Sequence, residues 1–382
     1  MARVHLLMHK DRPVARFALE YSRSHYESNL LQVLDPVFCP KVISQSKVKY
    51  LSGLDVFFTG RSQNLGRMNL DFVYHYHGFE YPVWWFLLFT NRCVSLTDCY
   101  WTKEEGEAIT WAEVSPYRHG PNPLVADQFF WERTQGRPVG LSPDFTLRGA
   151  SPKFWFRDDQ GVHLIKGATS WGELCPGKLF MDLLVGRLAR RLGVDHVEQV
   201  MLSYQGRLVL KSKNFTSEAV SYRPAFMDLA CLGQKKGREA FLDLYQANER
   251  VLRGYQDMLV LDFIVGNESR GSDKFGLLVD NDTNQALSLA PLFGFGEALY
   301  HFNAIEAYLE DPSQVTQRAN EVKPFMQEKR YKYFENLYED VEGLLGYEYD
   351  QLKKWNIDFY VSKACLELII RGVKHRLRLL ID

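Results

Sequence analysis

The sequence predicts an α+β chain: a β-rich N-terminal module, a small lobe of strands around one helix, and a mostly helical C-terminal lobe. Three observations predict it. Short apolar runs separated by turn signals dominate the first half, whereas apolar residues after Arg223 recur at helical spacing. Prolines and glycines concentrate in residues 115–144, including "SPYRHGPNP" and "TQGRPVGLSPD", and mark a linker. The chain has 382 residues, 46% hydrophobic and 14% aromatic, enough to build two or three adjoining domains and to exclude disorder throughout.

The elements follow in order. "VHLLM" and "VARFAL" flank "HKDRP", whose polar residues and proline predict a hairpin turn. In "VYHYHGFEYPVWWFLLF", His75 and His77 would share one face of a strand. No cysteine or carboxylate cluster completes a metal site there, so a polar strand face is the expectation. After the linker, "PKFWFRD" and "VHLIKG" form a second hairpin around Asp-Gln-Gly. In "GKLFMDLLVGRLARRLG", Phe180, Leu184 and Leu188 predict a helix that Gly193 stops. "VEQVMLSYQGRLVLKSKNF" returns to strands around a Gln-Gly turn. Helices are expected from Arg223 to Gly266, then a hairpin of "KFGLLVD" and "ALSLAPLF", then a helical tail. Leu366, Ile369, Ile370, Val373, Leu377 and Leu380 form its apolar stripe, which predicts docking on its own domain rather than an oligomer face.

Charge and cysteines narrow the function classes. The 46 basic and 47 acidic residues leave a formal net charge of −1, which gives no long-range field for nucleic acid or anionic membrane. The cluster Arg187, Arg190 and Arg191 is expected to be a solvated helix side. Cys39, Cys93, Cys99, Cys175, Cys231 and Cys365 contain no Cys-x-x-Cys pair, which argues against a zinc ribbon or disulfide scaffold and suits reduced thiols. The N-terminus has no apolar signal-peptide core, and the run Tyr81 to Phe89 falls short of the ~20 residues a membrane helix requires. A cytoplasmic protein is the expectation.

A hairpin and helix ahead of a helical lobe is the two-lobed layout of protein kinases, and three stretches carry a closer resemblance. "SPDFTLRGASPKFWF" with "HLIKG" resembles the glycine-containing phosphate loop and lysine strand of HipA-like serine/threonine kinases of bacteria. "VLDFIVGNESRGSDKFGLLVDNDT" resembles their catalytic loop, approximately Gly-Asn-Thr-Asp-Arg-His-x-x-Asn-Phe-Gly. "LAPLFGFGEALY" resembles their metal-binding segment, approximately Ala-Pro-Leu-Phe-Asp-x-Gly. "HLLMHKDRPVA" and "VSLTDCYW" are similar to the accessory region of a subgroup common in Gram-positive bacteria. The resemblance runs in order from residue 5 to about residue 300. It implies a HipA-like two-lobed fold: an accessory module at 1–114, a linker at 115–144, a kinase N-lobe-like part at 145–215, and a helical lobe at 216–382 with a degenerate catalytic loop.

It also implies a nucleotide site, for ATP or another nucleotide, at Gly149, Ser151, Lys153, Lys166 and Asp182. Gly149 lets backbone approach a phosphate, and the two lysines bring positive charge. By register with the family, Asp182 stands at the helix glutamate that holds the phosphate lysine. Lys166 is its candidate partner, and a local pair with Lys178 is the alternative.

The transfer-side positions are replaced. Matched from Asn267 and Phe275, the catalytic aspartate falls on Ser269, the histidine on Gly271 and the asparagine metal ligand on Lys274. The magnesium-binding aspartate falls on Gly294. Phosphoryl transfer depends on positioning and charge stabilisation. Loss of a general base alone costs roughly 10²–10⁴-fold, and magnesium relies on one or two carboxylates besides phosphate. Asp273 is the nearest substitute ligand; Glu268, Glu297, Asp280 and Asp282 are expected to be loop carboxylates. The resemblance thus implies a pseudokinase with a regulatory or protein-interaction role and doubtful magnesium binding. The alternatives are a divergent ATP-dependent kinase or transferase, and a toxin-like module paired with a DNA-binding antitoxin. An antitoxin-like protein is the expected partner. With no helix-turn-helix signature in the chain, direct nucleic-acid binding is not expected.

Overall fold

A computed structural model of the chain describes residues 3–21, 26–62, 67, 70–77, 85, 87, 91–125, 130, 141–170, 173–232, 238–299, 312–326 and 328–382. It is a mixed α/β structure, sheet-rich toward the N-terminus and mostly helical toward the C-terminus. The chain packs as two compact units, each drawn from separate stretches: residues 1–166, 213–246 and 276–288 in the first, and 167–212, 247–275 and 289–382 in the second. Consecutive segments therefore describe the order of the elements and not their packing.

The first unit opens with an antiparallel sheet in the order β3-β2-β1-β4, built from β1 (Arg3–His9), β2 (Arg12–Tyr21), β3 (Tyr26–Val33) and β4 (Tyr100–Glu104). The strands run closer to the first turn than "HKDRP" implied. Only Lys10 and Asp11 separate them, with Lys10 at φ 51°. Successive strand residues point to opposite faces, and neighbours Leu7 and Met8 serve different clusters. Leu7 joins Phe17 and Leu19 under α1 (Lys41–Gln45), α2 (Gly53–Thr59) and α3 (Leu70–Tyr76). Met8 pairs with Trp101 and packs with Trp111 and Val114. Both faces are thus covered, which explains why β1 is apolar without alternation.

The strand expected to carry His75 and His77 is instead helical, because Leu70, Val73, Tyr74 and His77 follow the helical repeat that the aromatic alternation concealed. His75 Nδ1 lies 2.8 Å from its own helix's Asp71 carbonyl. The run Tyr81 to Phe89 lies outside the described residues apart from Trp85 and Leu87. Where it is described, the stretch expected as a linker is packed at its end: Ser142 and Asp144 are buried, and the Ser142 amide donates to Asn91 Oδ1 at 2.7 Å.

The hairpin of β5 (Lys153–Asp158) and β6 (Gly161–Lys166) follows. A further sheet takes Val220–Pro224, Gly276–Asp280 and Ala286–Leu289 in that order. Asn281 ties it to the first sheet. Its side chain meets His9 Nε2 at 3.3 Å, accepts from Ser221 Oγ at 2.6 Å and donates to the Glu218 carbonyl at 3.2 Å.

The second unit holds the long helices. In α4 (Gly177–Leu192), Phe180, Leu184 and Leu188 are fully buried, and Gly193 closes the helix at φ 68°. The Gln199–Tyr204 and Arg207–Lys213 hairpin turns at Gln205-Gly206. Asn248 caps α5 (Glu249–Ile264) by accepting the Val251 amide. Then come α6 (Pro312–Val322), α7 (Glu328–Leu352) and α8 (Lys363–Ile381). The α8 stripe Leu366, Ile369, Val373, Leu377 and Leu380 is buried, and α8 packs on α5, α6 and α7. No helix among the described residues is long and apolar enough to cross a membrane.

Candidate functional site

The loop after α5 is held by a buried ion pair. Asp262 lies in the last turn of an otherwise apolar helix, and its carboxylate receives two parallel hydrogen bonds from Arg270, Nε to Oδ2 and Nη2 to Oδ1, each 2.9 Å. The two side chains are 7% and 9% exposed. The same guanidinium donates from Nη1 to the Lys274 carbonyl at 3.0 Å and the Phe293 carbonyl at 2.6 Å. It also lies 4.9 Å from the Phe295 ring centre. One cation thus pins α5, the loop and residues 293–295, all in the second unit. Asn267 adds to the brace by donating Nδ2–H to Asp262 Oδ1 at 2.7 Å.

Within this frame two of the replaced positions, 269 and 274, meet. Ser269 Oγ donates to Asn267 Oδ1 at 3.0 Å, and Lys274 Nζ donates to Ser269 Oγ at 3.3 Å. A hydroxyl and an ammonium therefore face each other where the resemblance requires an acid and a metal ligand. Gly271 and Asp273 are exposed, and a Cβ added at Gly271 would stand 2.6 Å from Asp273 Oδ1. The Asp273 carboxylate thus folds over Gly271.

Gly294 has φ 76°, in the left-handed region, with nothing within 4 Å of an added Cβ. Glycine there provides a backbone conformation that L-residues adopt at a cost. The next amide, Phe295 N–H, donates to Asp182 Oδ1 on α4 at 2.5 Å. Lys178, the local partner considered for Asp182, ion-pairs instead with Glu297 Oε1 at 2.5 Å. Helix α4 therefore grips residues 295–297 twice, once by Asp182 and once by Lys178.

The first unit carries the residues expected to form a phosphate loop. Gly149 has φ 94°, and an added Cβ would lie 2.7 Å from Lys153 Nζ, which donates to the Arg148 carbonyl at 2.7 Å. The lysine thus folds across the glycine turn. Lys153 and Lys166 are directly opposed in the β5–β6 register, so their side chains leave the hairpin on the same face. Buried Arg67 closes the loop from beneath, donating to the Leu147 carbonyl at 3.0 Å and the Lys153 carbonyl at 2.5 Å. Burial lowers its pKa to about 10. Burial likewise raises Asp144 to about 6. Asp144 accepts from the Trp155 amide at 2.7 Å and Ser142 Oγ at 2.5 Å. Ser151 lies on the same loop, half-buried.

The remaining carboxylates and the basic cluster have structural contacts. Glu268 accepts from Arg318 at 2.5 Å. Asp280 accepts both amides of its turn, and the Thr283 contacts hold it below the usual carboxylate range. Asp282 pairs with Lys10. Arg187, Arg190 and Arg191 pair with Glu348, Glu198 and Asp340. Among the described residues, no three His, Cys, Asp or Glu side chains gather as a metal-binding group. Magnesium takes oxygen ligands with carboxylates among them. The donors at 269, 274 and 294 are a hydroxyl, an ammonium and no side chain at all, a set that does not fit that ion.

Four supporting residues escape sequence reasoning: Arg67, Asp144, Asp262 and Arg376. Asp262 had a signal, a lone carboxylate inside "MLVLDFIVG", where burial demands a charged partner. Arg376, on α8, is buried with its pKa lowered to about 10. A Cβ at Gly266 would meet its guanidinium at 2.9 Å. Nothing local to Arg67 or Arg376 points to either role.

No family model matches the chain, and no curated protein matches it. Among solved structures, HipA of the Shewanella oneidensis MR-1 toxin–antitoxin system, determined with HipB and its operator DNA, is similar over 99% of each chain. Its identity is 10% and the TM-score 0.49. The Helicobacter pylori proinflammatory kinase CtkA is similar over 60% of this chain and 91% of its own, at 14% identity and TM-score 0.44.

Proposed function

We propose that this chain is a HipA-like pseudokinase, a kinase-type frame that acts by binding, in a regulatory or protein-interaction role, and does not carry out ordinary phosphoryl transfer. One observation carries the reading. The Asp262–Arg270 pair keeps the loop braced, while the side chains it presents at 269 and 274 are a hydroxyl and an ammonium in mutual contact. A loop decaying without function has no reason to keep a buried, bidentate ion pair that costs desolvation to maintain. A loop performing transfer needs a base and metal ligands, and the groups at these two positions supply neither. Nucleotide binding is part of the proposal, supported by Lys153 and Lys166 on one face of the β5–β6 hairpin beside the Gly149 turn. The partner proposed is a protein of antitoxin type, with no direct contact between this chain and nucleic acid.

The test is incubation of the full chain with γ-labelled ATP, magnesium or manganese, and mixed protein substrates. No transfer above background is expected. Transfer that disappears in Lys166→Ala would overturn the reading and favour a divergent kinase. The triple variant Ser269→Asp, Lys274→Asn, Gly294→Asp restores the missing groups. Magnesium-dependent ATP binding appearing in that variant is the expected gain. Retention of the chain on duplex DNA at physiological salt would speak against the partner assignment.

A further inference from the structure

We propose that the outer edge of β3 and the loop after α1 form a docking site for an extended, acidic segment of a partner protein, one whose carboxylates alternate with apolar side chains. The site lies wholly in the first unit. It would serve a kinase and a pseudokinase alike, independently of the loop after α5.

Strand β3 is the outermost of its sheet and pairs with β2 alone among the described residues. Edge strands take up extended peptides by adding one more strand to the ladder. The register with β2 is regular up to Leu30, whereas Leu31 has no partner on β2, and this bulge ends the usable edge. Six of the fourteen large hydrophobic side chains exposed among the described residues fall within residues 31–51: Leu31, Leu34, Val37, Val48, Tyr50 and Leu51. Such a concentration differs from the single exposed apolar residues normal on any surface. The loop from Lys47 to Leu51 is exposed at every residue. It enters α2 beside the strand, where Ser52 Oγ lies 3.1 Å from Ser28 Oγ. Tyr50, at its tip, is 88% exposed and sits at φ 68°, in the left-handed region that disfavours a tyrosine.

Charge selects the kind of partner. Lys41, Lys47 and Lys49 are exposed and form no ion pair among the described residues. The Lys47 amide donates to the Ala230 carbonyl at 3.0 Å, and Lys41 and Lys47 both act on the neighbouring Cys231 thiol. Lys49 Nζ lies 4.6 Å from the Tyr50 ring centre. Glu27 is the only acid of β3, and Asp55 on α2 is buried and accepts from Ser52 and Ser28. Lysines thus outnumber the exposed acid, and carboxylates complement them. Three lysines fall short of the about 4–8 clustered cations that mark an anionic-membrane site, and a strand edge suits a peptide rather than a lipid surface.

The experiment is fluorescence anisotropy of a labelled octapeptide of alternating glutamate and valine, titrated with the full chain. Its lysine–valine counterpart and a copy with every amide N-methylated are run beside it. The acidic peptide should bind, more weakly as salt rises. The other two should not, for want of complementary charge and of strand hydrogen bonds. Lys47→Glu combined with Lys49→Glu should weaken binding about 10-fold or more. Tyr50→Gly suits the left-handed backbone, so it should weaken binding and leave the melting temperature unchanged. Melting of the unliganded double variant establishes that it too is folded. Equal binding of the lysine peptide, full binding of the N-methylated copy, unchanged affinity in the double variant, or no binding at millimolar peptide would each overturn the inference. So would a dimer of the chain that excludes the peptide, which would assign the edge to a second copy. Sedimentation with phosphatidylserine vesicles that the double variant abolishes would overturn it as well, by assigning the lysines to lipid.

Discussion

Arg270→Ala probes the brace on which the whole loop depends. The substitution leaves the Asp262 carboxylate buried with only Asn267 as its side-chain donor, and takes a donor from the carbonyls of Lys274 and Phe293. Both partners are less than a tenth exposed, so solvent screening gives little relief. Breaking such a pair by removing one member costs about 3–5 kcal/mol. For a folding unit of this size each kcal/mol moves the melting temperature by about 2–4 °C, so a drop of about 6–20 °C is expected. Calorimetry of wild type and variant measures it, with hydrogen exchange at residues 265–275 to localise the effect. A loss below about 1 kcal/mol, the worth of an exposed pair, would refute the claim that this ion pair holds the loop.

Two further outcomes follow. Asp182→Ala removes the acceptor of the Phe295 amide, costing about 1–3 kcal/mol for an orphaned buried donor. Its signature is faster exchange at the Phe295 amide; unchanged exchange would mean that Asp182 does not fix that segment. For pH, burial between Phe38 and Tyr100 lowers the pKa of His9, beside Asn281, Asp98, Lys10 and Arg12. Its neutral form stabilises the fold above the ordinary value near 6.5, and that contribution is lost as pH falls through the lowered folded value. Asp144, raised to about 6, has the opposite sign: its contribution is present below about 3.8 and lost as pH rises toward 6. The stability gap between wild type and His9→Gln should therefore narrow below pH 6.5, measured by denaturant titration across pH. A constant gap would show that His9 does not titrate with folding.

Much of the fold was legible residue by residue. The β5–β6 hairpin and the Gln199–Lys213 hairpin announced themselves by apolar runs around Asp-Gln-Gly and Gln-Gly. Helix α4 was readable from Phe180, Leu184 and Leu188, with Gly193 as its stop. The stretch at 70–77 misled because its aromatic alternation suits a strand while its buried positions follow a helix. Both patterns coexist over so few residues, and packing against β1 and β2 decides between them. The described part of the presumed linker misled for another reason. Proline and glycine mark irregular backbone, but irregular backbone still packs when its polar groups find partners, as Ser142 and Asp144 do.

What the sequence determined by itself is chemical: no side chain at 269, 271, 274 or 294 is a carboxylate, and no fold can change that. It also determined much of the succession of elements outside residues 70–77, because hydrophobic period and turn residues act over a few neighbouring positions. Tertiary structure alone decided how the loops are held. Arg67 reaches carbonyls 80 and 86 residues away, Arg270 joins residues 262, 274 and 293, and Gly294 adopts φ 76°. Such pairings and dihedrals arise only when distant segments are desolvated together and every buried charge must find its counterpart, a condition the whole chain meets at once and no short stretch encodes.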